Sequence, residues 1–157
     1  MSRFILVLIL AALCLLPMGC IFLGTPPQMP FAEYPYRYTR ADFRFAWKTV
    51  QLKRDVAVEL MLKNLKYASV SGLSVEASLQ QGDKTISRSA TVPRDLQHGE
   101  IAKVAVTFQG VAISAGDEVH FTVRYLGTQG GTTRSLATRF AADAVTGVID
   151  ENQSSPE

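Results

Sequence analysis

The chain has 157 residues, with 16 Lys and Arg, 14 Asp and Glu, two His and two Cys, and a formal net charge of +2. This length fits one domain of ordinary size. The small net charge argues against nucleic-acid binding driven by a strongly basic surface. Hydrophobic residues make up 47% of the chain and charged residues 19%, which excludes disorder throughout.

The first twenty residues have the pattern of a targeting segment. Arg3 is the one charge ahead of an apolar run at residues 4–16, which has the length of a signal-peptide core and is short for a bilayer span. The run leads into Leu16-Pro17-Met18-Gly19-Cys20. This stretch resembles the signal peptide of a bacterial lipoprotein, in which an apolar core is followed by a small residue and a cysteine.

The resemblance implies a signal peptide at residues 1–19, cleavage after Gly19 and a diacylglyceryl group on Cys20. Pro17 stands where the family usually has leucine, and Leu16 lies one place too early. Because Ile21 rather than Asp follows the cysteine, the resemblance also implies the periplasmic side of the outer membrane, if the source has two membranes. Acyl chains of this kind anchor a protein at the membrane durably.

Two other interpretations of this segment stay open. Residues 4–23 carry no charge and are long enough to remain as an uncleaved single-pass anchor. A plain secretory signal that is cut elsewhere is the third interpretation. In the lipoprotein interpretation Cys14 leaves with the signal and Cys20 becomes a thioether, so the exported chain keeps no free thiol.

Residues 20–42 are predicted to form an extended tether. Four of the seven prolines lie here, namely Pro26, Pro27, Pro30 and Pro35. Proline fixes φ and lacks a backbone donor, which disfavours a helix. Aromatic and basic side chains alternate near the end of this segment, and we predict four of them as candidate partner contacts: Tyr34, Tyr36, Arg37 and Tyr38. The alternative is that the tyrosines pack on the domain while the arginines stay solvated.

From residue 43 onward apolar residues recur at every second position, which predicts strands rather than helices. Polar or Gly-rich breaks separate seven such stretches, at 43–52, 55–63, 73–80, 84–92, 101–108, 118–126 and 132–141. In the first stretch the alternation changes phase near Thr49. This change predicts a β-bulge, or a strand that crosses between two sheets.

Seven half-buried strands in about 100 residues predict an all-β fold, an antiparallel immunoglobulin-like β-sandwich over residues 43–142. An open barrel is the alternative. The signal-peptide helix and the tether would precede this domain, and a disordered polar tail at 143–157 would follow it.

A weaker resemblance accords with this fold. Asn64-Leu65-Lys66-Tyr67, residues 75–79 and residues 95–100 resemble the bacterial FxLYD-type sandwich domains, although the aromatic residue and the Asp that name the motif are missing. The resemblance implies a fold class and an accessory role in the cell envelope. It carries over no catalytic residue.

The sequence offers little chemistry. His98 falls in a predicted loop and His120 on the polar side of a predicted strand, and no Gly-x-Ser-x-Gly elbow accompanies them. Asp117 and Glu118 are adjacent, so on a strand they would point to opposite faces. No spacing of His, Cys, Asp or Glu suits a metal ion. We therefore predict no catalytic residue, no metal and no cofactor.

These observations predict a non-catalytic lipoprotein of the cell envelope, held to the membrane by its lipid and able to bind an envelope protein. An exposed edge strand, 43–52 or 84–92, would be the docking site. Neither nucleic acid nor a small-molecule substrate is expected. The alternatives are a small carbohydrate-binding module or enzyme centred on residues 34–40 and His98, and a single-pass membrane protein that carries the sandwich.

Overall fold

The computed structural model describes residue 34, residues 36–40 and residues 42–150. Within these ranges the chain forms strands and no helix. The strands in chain order are β1 Tyr36–Thr39, β2 Phe43–Leu52, β3 Asp55–Asn64, β4 Ser69–Gln81, β5 Lys84–Thr91, β6 Leu96–Gln97, β7 Ile101–Phe108, β8 Glu118–Gln129, β9 Thr132–Asp143 and β10 Ile149–Asp150.

The strands build two antiparallel sheets. The four-stranded sheet has the order β1-β2-β3-β7, and the six-stranded sheet has the order β10-β9-β8-β4-β5, with β6 paired to β4. The chain changes sheet between β3 and β4, between β6 and β7, and again between β7 and β8. The predicted all-β fold of antiparallel strands is therefore confirmed.

The core lies between the sheets because the inward positions of both are apolar. Phe45 and Trp47 of β2 meet Phe121 of β8 and Phe140 of β9, and each of these side chains is at most 1% exposed. The ring centroids of Phe45 and Phe140 are 4.9 Å apart, and those of Trp47 and Phe121 are 5.9 Å apart. Buried aromatic area of this kind is the main attraction that holds two sheets face to face.

The bulge predicted near Thr49 is wrong. All of β2 pairs with β3 in one unbroken register, from Phe43 opposite Asn64 to Leu52 opposite Asp55. The apolar alternation fades because the end of β2 runs beyond the core, where Leu52 is 50% exposed. The irregular register lies in β4 instead, between Ser71 and Ser74.

Three short strands lie outside the predicted stretches. β1 belongs to the segment predicted as tether, β6 to a predicted loop, and β10 to the tail predicted as disordered. β1 pairs with residues 44–47 of β2, and β10 pairs with Ala141 and Ala142 of β9. The folded body therefore starts before residue 43 and continues beyond residue 142.

The two strands predicted as candidate edges differ in their position within the sheets. Among the strands that the structure describes, β5 pairs only with β4 and is an edge of the six-stranded sheet, as predicted. β2 lies between β1 and β3, so its prediction as an edge is wrong over residues 44–47. The other edge of the four-stranded sheet is β7.

Asn64 fixes the point where the chain leaves the four-stranded sheet. Its side chain is fully buried. Its Nδ2 donates to the carbonyls of Tyr67 and Leu96 at 2.8 and 3.1 Å, and its Oδ1 accepts from the amides of Lys66 and Tyr67 at 3.2 and 3.0 Å. One amide thereby satisfies four backbone groups that have little access to water.

We expect Asn64→Ala to lower the free energy of unfolding by about 3 kcal/mol, because it leaves buried donors and acceptors unpaired. Chemical denaturation measures this loss. The control is Gln80→Ala on an exposed position of β4, which should change the free energy by less than about 0.5 kcal/mol. Equal effects of the two substitutions would contradict the role given to Asn64.

Candidate functional site

The segment ahead of β2 is fastened to both faces of the four-stranded sheet. Tyr38 of β1 turns inward, where its ring centroid lies 5.3 Å from that of Phe140 and 6.3 Å from that of Phe45. Tyr34 lies on the outer face instead, in a small apolar cluster with Ala46 and Met61, and is 2% exposed. The chain therefore meets the body at a defined place.

Charged groups surround Tyr34 on this outer face. Its hydroxyl donates to Oε2 of Glu59 at 3.0 Å, and the same oxygen lies 2.8 Å from Nζ of Lys103 and 3.4 Å from Nζ of Lys48. Both ammonium groups also lie near the Tyr34 ring, at 5.0 Å for Lys48 and 6.0 Å for Lys103 from its centroid. We call Tyr34, Lys48, Glu59 and Lys103 the Tyr34 cluster.

The Tyr34 cluster favours an ionised Glu59. The hydrogen bond from Lys103 lowers the pKa of Glu59, and although burial acts against this, the Tyr34 hydroxyl and the charge of Lys48 lower it further. The same contacts raise the pKa of Lys103. The cluster is therefore a set of fixed charges rather than a proton donor or acceptor for chemistry near neutral pH.

A second polar cluster lies where β1 passes into β2. Asp42 accepts from the hydroxyls of Tyr125 and Tyr67 at 2.8 and 3.1 Å through Oδ2, and its Oδ1 lies 3.0 Å from Nζ of Lys66. Burial acts to raise the pKa of Asp42, but the hydrogen bonds from Lys66, Tyr125 and Tyr67 outweigh it and the pKa is lowered. Burial also raises the pKa of the Tyr125 hydroxyl well above its ordinary value.

A surface cleft of about 390 Å³ adjoins this second cluster, at the turn end of the β8–β9 hairpin. Its lining residues are Lys66, Tyr67, Gly127, Gln129, Thr132, Arg134 and Leu136. The Tyr67 ring lies so close to Gly127 that a Cβ there would come within 2.8 Å of it. These described lining residues offer cationic and polar donors, and they include no pair of groups suited to nucleophilic or acid–base catalysis.

The residues predicted as partner contacts differ in how far they are buried. Tyr34 is buried, Tyr38 is partly buried against the core, and Arg37 is exposed. Tyr36 starts β1 opposite Trp47. Tyr34 and Tyr38 thus pack on the body, as the alternative interpretation of this segment expects, and contact with a partner stays a prediction. The predicted lipidation at Cys20 and cleavage after Gly19 lie outside the described residues.

The two histidines lie in ordinary polar surroundings. His98 is exposed in the turn between β6 and β7, and Nε2 of His120 lies 3.1 Å from Oε2 of Glu118. In the part of the chain that the structure describes, no three His, Cys, Asp or Glu residues come together as metal ligands. Nor do those residues include a helix long and apolar enough to cross a membrane.

No protein-family model matches this chain, and no curated protein resembles it significantly in sequence. The two resemblances drawn from the sequence therefore remain predictions. The candidate site is therefore defined by its geometry alone: the segment ahead of β2 is held on a charged face of the four-stranded sheet.

Neither Asp42 nor Glu59 was predicted as a site residue, although each contacts three side chains. Glu59 is the single carboxylate between apolar neighbours in β3, and this was the available signal. Its partner Lys48 lies opposite it within the hairpin of the consecutive strands β2 and β3, whereas Lys103 is distant in sequence and becomes its neighbour only through the pairing of β3 with β7. Asp42 lies in a residue run assigned to the tether, which concealed its role.

We expect Asp42→Asn to lower the free energy of unfolding by about 2 kcal/mol at pH 7, because hydrogen bonds to a charged acceptor are lost. The pKa of Asp42 is lowered in the folded state, so its contribution is complete above the unfolded pKa of about 3.9 and is lost as the pH falls through the folded pKa. The difference between wild type and variant should therefore shrink in acid. Denaturation from pH 7 to pH 2 measures it, and Asp83→Asn in the exposed β4–β5 turn is the control.

We expect Tyr34→Ala to release the segment ahead of β2. Trypsin should then cleave after the exposed Arg37 at least about tenfold faster, because local opening no longer has to break the Tyr34 contacts. Tyr34→Phe removes only the hydroxyl and should have a smaller effect. Mass spectrometry of timed digests follows the cleavage, with cleavage after Arg94 in an exposed loop as the internal reference. Unchanged rates in Tyr34→Ala would contradict the docking.

Proposed function

We propose that the protein is a non-catalytic lipoprotein of the bacterial cell envelope, attached to the membrane through Cys20 and acting by surface contact with an envelope partner. The observation that carries this proposal is the packing of Tyr34 against the four-stranded sheet. The 14 residues from Cys20 to this fixed point can reach at most about 50 Å. An anchor at Cys20 would therefore keep the body close to the bilayer, with one face tied to the anchored end.

The connectivity supports the finer fold assignment, an immunoglobulin-like sandwich of seven main strands. β2, β3 and β7 form one sheet, and β5, β4, β8 and β9 form the other, with chain crossings of the Greek-key type between them. In this assignment β1, β6 and β10 are short additions to the edges. Domains of this architecture commonly act through loops and strand edges rather than through a deep pocket.

The edge of β5 supports a role in partner contact. Among the described strands β5 pairs only with β4, so its backbone groups on the other side are hydrogen-bonded to no described strand. An extended segment of another protein could add to this edge by backbone hydrogen bonds. Lys84 and Arg88 are exposed along β5 and would discourage indiscriminate pairing. This edge is the site that we propose for an envelope protein partner.

We expect cells that express the protein to attach labelled palmitate to it and to produce a mature chain that begins at Cys20. Cys20→Ser should abolish the label because it removes the sulfur that forms the thioether. The matched control is Cys14→Ser, which should keep the label because residue 14 leaves with the signal peptide. The label is read on an immunoprecipitated full chain, and the amino end by mass spectrometry.

A mature chain that begins at another residue, or a label that persists in Cys20→Ser, would contradict the anchor. A chain that keeps residues 1–19 and takes up no label would favour the single-pass alternative.

A further inference from the structure

The outer face of the four-stranded sheet carries an excess of positive charge. Its outward positions alternate with core residues, and five of them are cations that we call the basic face: Arg37, Arg44, Lys48, Lys63 and Lys103. Glu59 lies at the centre of these residues and Asp55 at the end of β3. Among the described residues, the face therefore has more cations than its carboxylates can neutralise.

The carboxylates also neutralise some cations of the basic face and not others. Lys48 and Lys103 share one carboxylate, that of Glu59. Arg44 and Lys63 lie directly opposite each other in the β2–β3 register, and neither forms an ion pair with any described carboxylate. Like charges at directly opposed positions repel and destabilise a sheet. An anionic surface laid against this face would relieve that repulsion.

The outer face of the six-stranded sheet has a different character. Arg124 pairs with Glu76 across β8 and β4 at 2.9 Å, and Glu118 lies 3.1 Å from His120. Serine and threonine occupy many of the remaining outward positions of β4 and β5, such as Ser78. Arg139 also lies at an outward position, but together with Arg124 it stands against the carboxylates of Glu76, Glu118 and Asp143, so among the described outward positions the excess of cations lies on the four-stranded sheet.

The basic face is also the face on which Tyr34 lies. The Tyr34 ring lies within 6.0 Å of both Lys48 and Lys103, so the end of the body that is closest in sequence to Cys20 coincides with the cations. We propose that the basic face docks on the anionic lipid headgroups of the leaflet that holds the anchor. This inference rests on the proposed lipid attachment at Cys20. Attraction to a charged leaflet acts within about one Debye length, roughly 8 Å at physiological salt, which a short tether makes accessible.

The test uses the processed full chain, purified from membranes in detergent and reconstituted on vesicles of phosphatidylcholine alone or of phosphatidylcholine with phosphatidylglycerol. Flotation reports anchoring, and brief acetylation of lysines followed by mass spectrometry reports which face is covered. We expect the protein to float with both vesicles. On anionic vesicles alone, acetylation of Lys63 and Lys103 should slow relative to Lys84 on β5, and 0.5 M salt should remove the difference by screening, at a Debye length of roughly 4 Å.

A pair of charge variants tests the assignment to this face. Arg44→Gln with Lys63→Gln removes two cations of the basic face, and each loss should lower the docking equilibrium by on the order of fivefold. Protection of Lys103 should then disappear. Lys84→Gln with Arg88→Gln removes one Lys and one Arg from β5 of the other sheet, and it should leave the protection of Lys103 intact. Because this control lacks the reference Lys84, protection in both variants is measured as acetylation of Lys103 on anionic vesicles against neutral vesicles. Thermal unfolding of both variants checks that the fold is kept.

The outcomes separate the two proposals. Failure to float with neutral vesicles overturns the anchor and the docking with it. Flotation with both vesicles, but equal acetylation of Lys103 and Lys84 on anionic lipid, overturns the docking alone. Protection of Lys103 by soluble polyphosphate on neutral vesicles, with none on anionic vesicles, overturns the lipid assignment in favour of an anionic polymer.

Discussion

The two sheets are held together by aromatic side chains that escape water only while the sheets remain face to face. Phe45 and Trp47 lie against Phe140 at ring-centroid distances of 4.9 and 5.5 Å, and all three are nearly inaccessible. Cys14 and Cys20 both precede the sheets in the sequence, so no disulfide can join them. Burial of these side chains is therefore a main contribution that offsets the chain entropy of the fold, including that of the three strand pairs β3-β7, β4-β6 and β4-β8, which join strands that are not consecutive in sequence.

Polar groups at the ends of this core determine how the chain enters and leaves it. Asn64 and Asp42 each bind several groups at once, and in the described part of the chain every buried side-chain nitrogen and oxygen has a hydrogen-bond partner. A buried polar group helps a fold only when it is fully paired, since an unpaired one costs more than an apolar side chain would. These two residues therefore fix the loops through which the chain enters and leaves the core, which the aromatic packing does not determine.

The long strands could be predicted because one face of each is apolar and the other is polar, as in β8, where Val119 and Phe121 alternate with His120. β6 and β10 have two residues each, too few for a period, and their strand pairing depends on a neighbour's free backbone groups. The same limit applies to the candidate site. Lys48 faces Glu59 within the β2–β3 hairpin, but Lys103 reaches Glu59 only because β7 pairs with β3, an order that a single sequence does not specify.

The formal net charge of +2 conceals a difference in charge between the two sides of the folded body. The order β1-β2-β3-β7 collects cations from four separate stretches of sequence on one face, while Glu76 and Arg124 neutralise each other on the other sheet. Net charge therefore indicates little about how such a body turns near a charged surface, because the interaction depends on the few charges within a Debye length of it.

Under the proposed anchor, the lipid supplies attachment and the uneven charge supplies orientation. A face turned toward the bilayer would leave the six-stranded sheet, with the free edge of β5, directed toward the surroundings. Under this proposal the anionic leaflet, rather than a carboxylate of the protein, would offset the repulsion between Arg44 and Lys63.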